Sequence, residues 1–327
     1  MNEAKTRATD LGGAALPGLE DVRDAAARIA PYAVVTPVLR SAALDALAGA
    51  ALHFKCENLQ RGGAFKFRGA CNAVWSLSAA EAARGVVTHS SGNHGNALAL
   101  AAATRGIAAH VVVPEGAVQA KLDAIERAGA ILHRCAPTTA AREAKAAEVQ
   151  AATGAVLVHP YADARVIAGQ GTLALELLAQ AGPLEAVVAP VGGGGLIAGV
   201  AIAGHGVQPA LAVHGAEPAG ADEAARSLAR GERVTDFVPD TLCDGLRGTL
   251  GVPNFAALRA HGIAITTVTD AECIAAMRLL WRELKLVVEV SSATVLAAVL
   301  KARGRFAGQR VGLVLTGGNV DLDALPW

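Results

Sequence analysis

Residues 186–204 run for nineteen positions without a charge, and what stands in the middle of that run decides what the chain can become. The length suffices for a helix to cross a bilayer. But Pro190 and the four glycines Gly192–Gly195 interrupt it, and a lipid-exposed helix broken there would leave backbone groups without hydrogen bonds. The run therefore reads as a buried strand over 186–190, a glycine loop, and a helix from about Leu196. The same rhythm recurs. Apolar runs rich in Val and Ile stand at 86–88, 110–113, 156–158, 211–215, 263–268 and 311–315. They are unbroken instead of alternating, as in strands covered on both faces. Ala-rich helical stretches at 96–105, 120–128, 139–152 and 171–181 lie between them. This alternation predicts an α/β fold of open, twisted parallel sheets with right-handed crossovers.

At 327 residues the chain exceeds what one core usually fills, so two lobes are expected. The 29 Lys and Arg balance the 29 Asp and Glu, which argues against nucleic acid or an anionic membrane surface as partner. Five cysteines (Cys56, Cys71, Cys135, Cys243, Cys273) are odd in number and scattered, with no C-x-x-C pair. They read as buried, reduced thiols of a cytoplasmic protein. The first eighteen residues mix charges with Gly and Pro17 and carry no apolar signal-peptide core, so they read as a loose tail.

Four segments can carry chemistry. Gly192–Gly195, between strand and helix, lets the backbone approach an anion closely at the positive end of a helix dipole. The segment lacks the Lys and Ser/Thr of a P-loop and is not G-x-G-x-x-G, so it reads as a phosphate cradle without a nucleotide signature. Thr88–Gly95 (T-H-S-S-G-N-H-G) gathers hydroxyls, an amide and an imidazole at a second strand-to-helix junction, suited to a carboxylate. Lys66 sits between Phe65 and Phe67 in a chain with 3% aromatics, and desolvation by such neighbours exposes a nucleophilic amine. Thr316, in L-T-G-G-N, ends the last expected strand, where ligands bind in such sheets. Each alone has a plain structural reading: a packing turn, an N-cap, a snorkelling lysine, a strand end.

Together they resemble the fold-type II pyridoxal-phosphate enzymes (tryptophan synthase β-like), in the branch of serine/threonine dehydratases and serine racemases. The matching pieces are G-A-F-K-F-R-G-A (63–70), S-S-G-N-H-G (90–95), H-P-Y…V-I-A-G-Q-G-T (159–172), P-V-G-G-G-G (190–195), E-P (217–218) and T-G-G-N (316–319). The resemblance implies a large cofactor domain over 1–83 and 159–327, a small domain over 84–158, and a homodimer. It implies that Lys66 holds pyridoxal 5′-phosphate covalently and moves the substrate α-proton, with Phe65 beside it. Gly192, Gly193, Gly194 and Gly195 would bind the phosphate, Asn93 the 3′-oxygen, and Thr316 would face the pyridine nitrogen. Ser90, Ser91, Asn93 and His94 lie in the loop that grips the substrate carboxylate. Ser91 matches the serine that faces the lysine across the ring in racemases, and Arg142 an arginine at the distal end of the substrate pocket. Glu217, the carbonyl of Ala221, and Glu223 match a site for Mg2+ (or Mn2+ or Ca2+).

The implied reaction is loss of water from a β-hydroxy amino acid to give a keto acid and ammonia. A hydroxyl opposite the pyridine nitrogen cannot hold it protonated as a carboxylate would, so a long-lived carbanion is disfavoured and prompt β-elimination fits. Serine racemisation is the alternative, since Ser91 could supply the opposite-face acid; β-replacement fits the S-S-G-N-H-G and E-P segments less well. Serine and threonine are the default substrates. Arg142 and Arg247 could hold a second carboxylate, which brings in 3-hydroxyaspartate, and phenylserine stays open. The chain ends eight residues past Asn319, which reads as lacking an amino-acid-sensing domain. Three positions depart from the family pattern: Ala64 where Ser or Thr is common, Glu289-Val290-Ser291-Ser292 where many members read E-P-S/T-G/A, and Glu223 in place of a shorter Asp.

Overall fold

The seven apolar runs become strands of two sheets in a computed structural model that describes residues 16–117 and 119–327. The strands are β1 (Val38–Leu39), β2 (Ala51–Cys56), β3 (Val86–His89), β4 (Ala109–Pro114), β5 (Ile131–Cys135), β6 (Val156–Leu157), β7 (Ala186–Pro190), β8 (Ala212–Pro218), β9 (Ala264–Val268) and β10 (Arg310–Leu315). One sheet has the order β1-β2-β10-β7-β8-β9 and the other β5-β4-β3-β6. Every pairing is parallel except that of β1 with β2, a two-residue antiparallel edge the expected all-parallel sheets did not include. The first fifteen residues of the expected tail lie outside the described residues.

Apolar clusters cover both faces of the larger sheet. On one face Leu313, Leu315 and Phe54 pack with Met277, Leu280, Leu296 and Val299. On the other, Val187 and Val314 pack with Ile167, Leu173, Ile197 and Val200. This is why the strands carry no alternation. The helix expected from Gly171 begins at Ala164, where Asp163 caps it by accepting from Arg165 N at 2.8 Å. Its glycines are packing sites. A Cβ on Gly169 would stand 2.6 Å from Gly69 Cα, and one on Gly171 2.8 Å from Gly199 O, so the helices Lys66–Trp75, Ala164–Ala181 and Gly195–Val207 meet backbone to backbone.

A buried charge network ties β2 to two of these helices. Arg68 bonds Glu57 twice, at 2.7 and 2.8 Å, and Glu176 twice, at 2.7 and 2.8 Å. Lys55 donates to Glu176 at 2.6 Å, Gln180 at 3.0 Å and Thr36 O at 2.7 Å. Arg68, Lys55 and Glu57 are fully buried, and two positive groups balance two negative ones. All five cysteines are free thiols, four of them buried. Among the described residues, no helix is long and apolar enough to cross a membrane.

Candidate active site

Lys66 opens the helix Lys66–Trp75 at the carboxyl end of β10, and backbone contacts fix it there. Gly62 and Gly63 both take φ 72°, turning the chain after β2 in a conformation that only glycine adopts without strain. Ala64 then bridges Gly317, Phe65 N donates to Thr316 O at 2.9 Å, and Gly318 N donates to Gly63 O at 2.9 Å. Lys66 Nζ donates to Pro160 O at 3.0 Å and lies 5.1 Å from the Phe65 ring centroid. Burial lowers its pKa to about 8, with the Glu289 carboxylate pulling the other way. A neutral, nucleophilic amine is therefore reachable near neutral pH.

The T-H-S-S-G-N-H-G junction faces this lysine. Asn93 begins the helix Asn93–Arg105, donates to both Glu289 oxygens at 3.2 Å and accepts from Asn319 Nδ2 at 2.9 Å. Asn319 also donates to Gly62 O at 2.8 Å, so the three segments close on one another. His94 is buried, and neither ring nitrogen reaches a partner within hydrogen-bonding geometry. Burial, then the Lys66 charge, holds it well below the usual imidazole range, so it is neutral. A buried imidazole without partners beside an amine is a place for a polar ligand. Ser90 and Ser91 stand half-buried in the same loop.

The glycine loop closes the other side. Gly194 takes φ 84° and leads into the helix Gly195–Val207. A Cβ on Gly193 would fall 2.5 Å from Tyr161 Cδ1, so the loop lies directly on the Tyr161 ring. Asn254 Nδ2 binds Gly193 O at 2.5 Å and Tyr161 O at 3.0 Å. Tyr161 follows the carbonyl that holds Lys66, which couples cradle and lysine through one peptide. His159 Nδ1 accepts from Tyr161 N at 3.3 Å and Ala162 N at 3.0 Å; burial, His89 and Lys66 lower its pKa to about 4. Lysine, glycine cradle and unpartnered imidazole suit a phosphorylated aldehyde cofactor.

The remaining expected residues lie further out. Arg142 stands in the first turn of the helix Thr139–Thr153, bonded to Thr139 Oγ at 3.0 Å, and its charge is felt at His89 and Tyr161. Arg247 is exposed and held by Thr241 O. Glu217, at the end of β8, accepts from Ala224 N and Ala225 N at 2.8 Å. Glu223 accepts from Leu250 N at 2.8 Å and Ser227 Oγ at 2.9 Å. Burial raises Glu217 to about 8 and raises Glu223 as well; the Glu223 charge adds to the shift at Glu217. Ala221 is buried in the turn between them. Two open surface depressions lie elsewhere, one lined by Arg40, His53 and Gln180 and another by Trp281 and Trp327.

The structure brings Lys66, the T-H-S-S-G-N-H-G junction, the glycine loop and Thr316 together. What the residue patterns alone left without roles are the Pro160 carbonyl, the Tyr161 ring, Glu289 as partner of Asn93, and Ser292. Tyr161 carried a signal, being one of two tyrosines in the chain. Glu289 and Ser292 carried one as departures from the family pattern.

A lysine desolvated between a glycine cradle and an Asn93–Glu289 wall, at the carboxyl ends of parallel strands, defines a fold-type II pyridoxal-phosphate site. The chain belongs to the pyridoxal-phosphate dependent enzyme family, matching it over residues 29–317. It is 50% identical over 312 residues to a beta-hydroxyaspartate dehydratase of Paracoccus denitrificans, covering 95% of this chain and 99% of the relative. Among solved structures it resembles maize serine racemase, with a TM-score of 0.92, 41% identity and 94% of each chain covered. It also resembles the T.th. threonine deaminase, with a TM-score of 0.88, 43% identity, and 94% and 99% covered.

Proposed function

We propose that this enzyme removes water from a β-hydroxy amino acid, of the serine/threonine or 3-hydroxyaspartate type, releasing a keto acid and ammonia. The observation that carries the reading is the Lys66 amine, desolvated to a pKa of about 8 and held on the Pro160 carbonyl beside the glycine cradle. Gly192–Gly195 would hold the phosphate, Asn93 the 3′-oxygen, Phe65 the ring edge, and Thr316 would face the ring nitrogen. Bound there, pyridoxal phosphate supplies the electron sink that makes the substrate α-proton acidic. Lys66 takes that proton from its own face, and its low pKa suits it to both accept and return protons. Ser90, Ser91, Asn93 and His94 orient the substrate carboxylate at the start of a helix, where the dipole favours an anion. Arg142 would reach a distal group. The dehydratase relative makes 3-hydroxyaspartate the first substrate to test.

Burial raises the proton affinity of Glu217 and Glu223, and the Glu223 charge adds to the shift at Glu217, so two carboxylates stand within reach of each other's field on either side of the turn that holds Ala221. This supports a divalent cation, Mg2+ first, at Glu217, Ala221 and Glu223. The division into two sheets supports a large domain of 1–83 and 159–327 with a small domain of 84–158. Exposed Val34, Val35, Leu59 and Val287, grouped around Asn58 and Gln60, support a homodimer. The free cysteines support a cytoplasmic location.

Serine racemisation is the second reading, favoured by Ser91, which matches the serine that faces the lysine across the ring in racemases. One experiment separates the two: keto acid, ammonia and both enantiomers are followed from L-serine, L-threonine, the 3-hydroxyaspartate isomers and phenylserine, with and without Mg2+. Keto acid outpacing inversion supports dehydration. D-serine formed faster than any keto acid overturns it.

A further inference from the structure

Thr316 and Ser292 form a buried pair of hydroxyls at the end of β10, and their neighbours dictate where the two protons lie. Ser292 is fully buried in the helix Val290–Lys301, and Thr316 is nearly so. Ser292 Oγ lies 2.7 Å from Gly317 N, which can only donate, and 2.7 Å from Gly317 O, which can only accept. It lies 3.0 Å from Thr316 Oγ, which can do either. A hydroxyl has one proton and two acceptor pairs. Ser292 therefore gives its proton to Gly317 O and accepts from Gly317 N, and its last pair is filled only if Thr316 is the donor. The reverse arrangement, Ser292 donating to Thr316, gives up the shorter bond to make the longer one. The proton of Thr316 thus points into the helix, and its lone pairs face away from Ser292.

Many members of the family have Gly or Ala where Ser292 stands, and neither residue can take that proton. We propose that Ser292 is a positioning residue that captures the Thr316 proton, so that Thr316 presents an oxygen acceptor, not a hydroxyl donor, to the cofactor ring nitrogen. The inference rests on the reading of Thr316 given above. It reverses one expectation drawn from a lone hydroxyl: a ring nitrogen facing an acceptor is favoured in its protonated form, and the ring is then the stronger electron sink. No charged group bonds either hydroxyl directly among the described residues. The charges facing the pair are Glu289, three residues ahead of Ser292 with its carboxylate against Gly317, and Lys66, which acts on Glu289 and follows the Phe65 N–H that donates to Thr316 O. Asp244 and Lys121, paired with each other, lie beyond Glu289, and Cys56 neighbours Leu315 on β2.

The test is the nitrogen itself. Holoenzyme is prepared with pyridoxal phosphate labelled with 15N in the ring, and the ring 15N signal is followed against pH in wild type, Ser292→Ala, Ser292→Cys and Thr316→Ala. The cysteine fills the serine volume with a weak acceptor and guards against a cavity effect. Wild type is expected to hold a protonated ring nitrogen, with its midpoint lowered by about one pH unit in both Ser292 variants, the worth of one exchanged hydrogen bond. A wild-type nitrogen unprotonated throughout overturns the proposal, whether or not the variants fold. So does an unchanged midpoint in the Ser292 variants when Thr316→Ala moves the signal. A signal that Thr316→Ala leaves unmoved instead removes Thr316 from the ring nitrogen, and the reading beneath the proposal falls with it.

Discussion

Arg68→Leu is expected to cost about 3–5 kcal/mol, because it strands a charge in the interior. Arg68 is fully buried and makes four bonds of 2.7–2.8 Å to Glu57 and Glu176, with weaker ones to Thr172 and Val34. Without it, two carboxylates share the single ammonium of Lys55, which is bonded to Glu176 and not to Glu57. Glu57 is then a buried carboxylate held by the Thr36 hydroxyl alone, at 2.6 Å. Calorimetry should show the apoprotein melting roughly 6–15 °C lower. Glu57→Gln alone should also destabilise, since it leaves the excess charge positive. The double variant Glu57→Gln/Arg68→Leu should cost less than the sum of the two, because it removes one charge of each sign; recovery of about 1–3 kcal/mol is expected. The same network anchors the helix two residues after Lys66, so Arg68→Leu should also weaken retention of cofactor at temperatures where the fold persists. Strictly additive costs would refute the argument that these charges act as one neutralised set.

Gly193→Ala should weaken cofactor binding at least tenfold and lower the melting temperature by a few degrees, because its Cβ would overlap the Tyr161 ring; equilibrium dialysis and calorimetry check both. Capture of pyridoxal phosphate by apoprotein, followed by absorbance, should quicken with pH and level off above about 8, where the Lys66 amine is neutral, and Lys66→Ala should abolish it. A rate still climbing beyond about pH 10 would refute the shift. Burial, then Asp244, raises Glu289 from 4.5 to about 7, so the folded apoprotein binds the extra proton between those values. Its stability should therefore fall as pH rises from 4.5 to 7, by up to about 3 kcal/mol relative to Glu289→Gln, measured by urea unfolding. Mg2+ should raise the melting temperature in wild type and not in Glu223→Gln; a chelator that changes neither removes the cation from Glu217 and Glu223.

The strands that could be read in advance were those whose apolar character is local. β3, β4 and β6–β10 are unbroken runs because helices cover both faces of their sheets. β2 reads A-L-H-F-K-C and β5 I-L-H-R-C, so neither shows a run. β5 lies on the edge of its sheet, half exposed, and needs no apolar run. β2 is buried almost throughout, and its Lys55 is tolerated only because Glu176 and Gln180, more than 120 positions away, reach it. Nothing in a local window announces such partners. The early start of the helix Ala164–Ala181 was hidden the same way: its first turns carry Gly169, a poor helix former by itself, which is there because Gly69 packs directly against it.

The site divides along a similar line. Lys66, the tetraglycine and the S-S-G-N-H-G loop each carry their chemistry in residue type and position, so their meeting was legible. The wall formed by Asn93, Glu289 and Asn319 was not, because an amide becomes a clamp only when a second amide and a carboxylate arrive from positions 289 and 319. Departures from the family pattern proved more informative about this chain than agreements. Ser292 at a Gly or Ala position is a buried hydroxyl that needs partners, and it finds them in Thr316 and Gly317. Glu223, longer than Asp, reaches Leu250 N across the loop that packs against the glycine cradle. In the first place an added hydroxyl, and in the second a carboxylate carried one methylene further, is taken up by neighbouring groups. Each of the two side chains fixes a neighbour of the site, Thr316 and Gly317 for Ser292 and the Leu250 backbone for Glu223, and it is these long-range partners that a local window of sequence does not show.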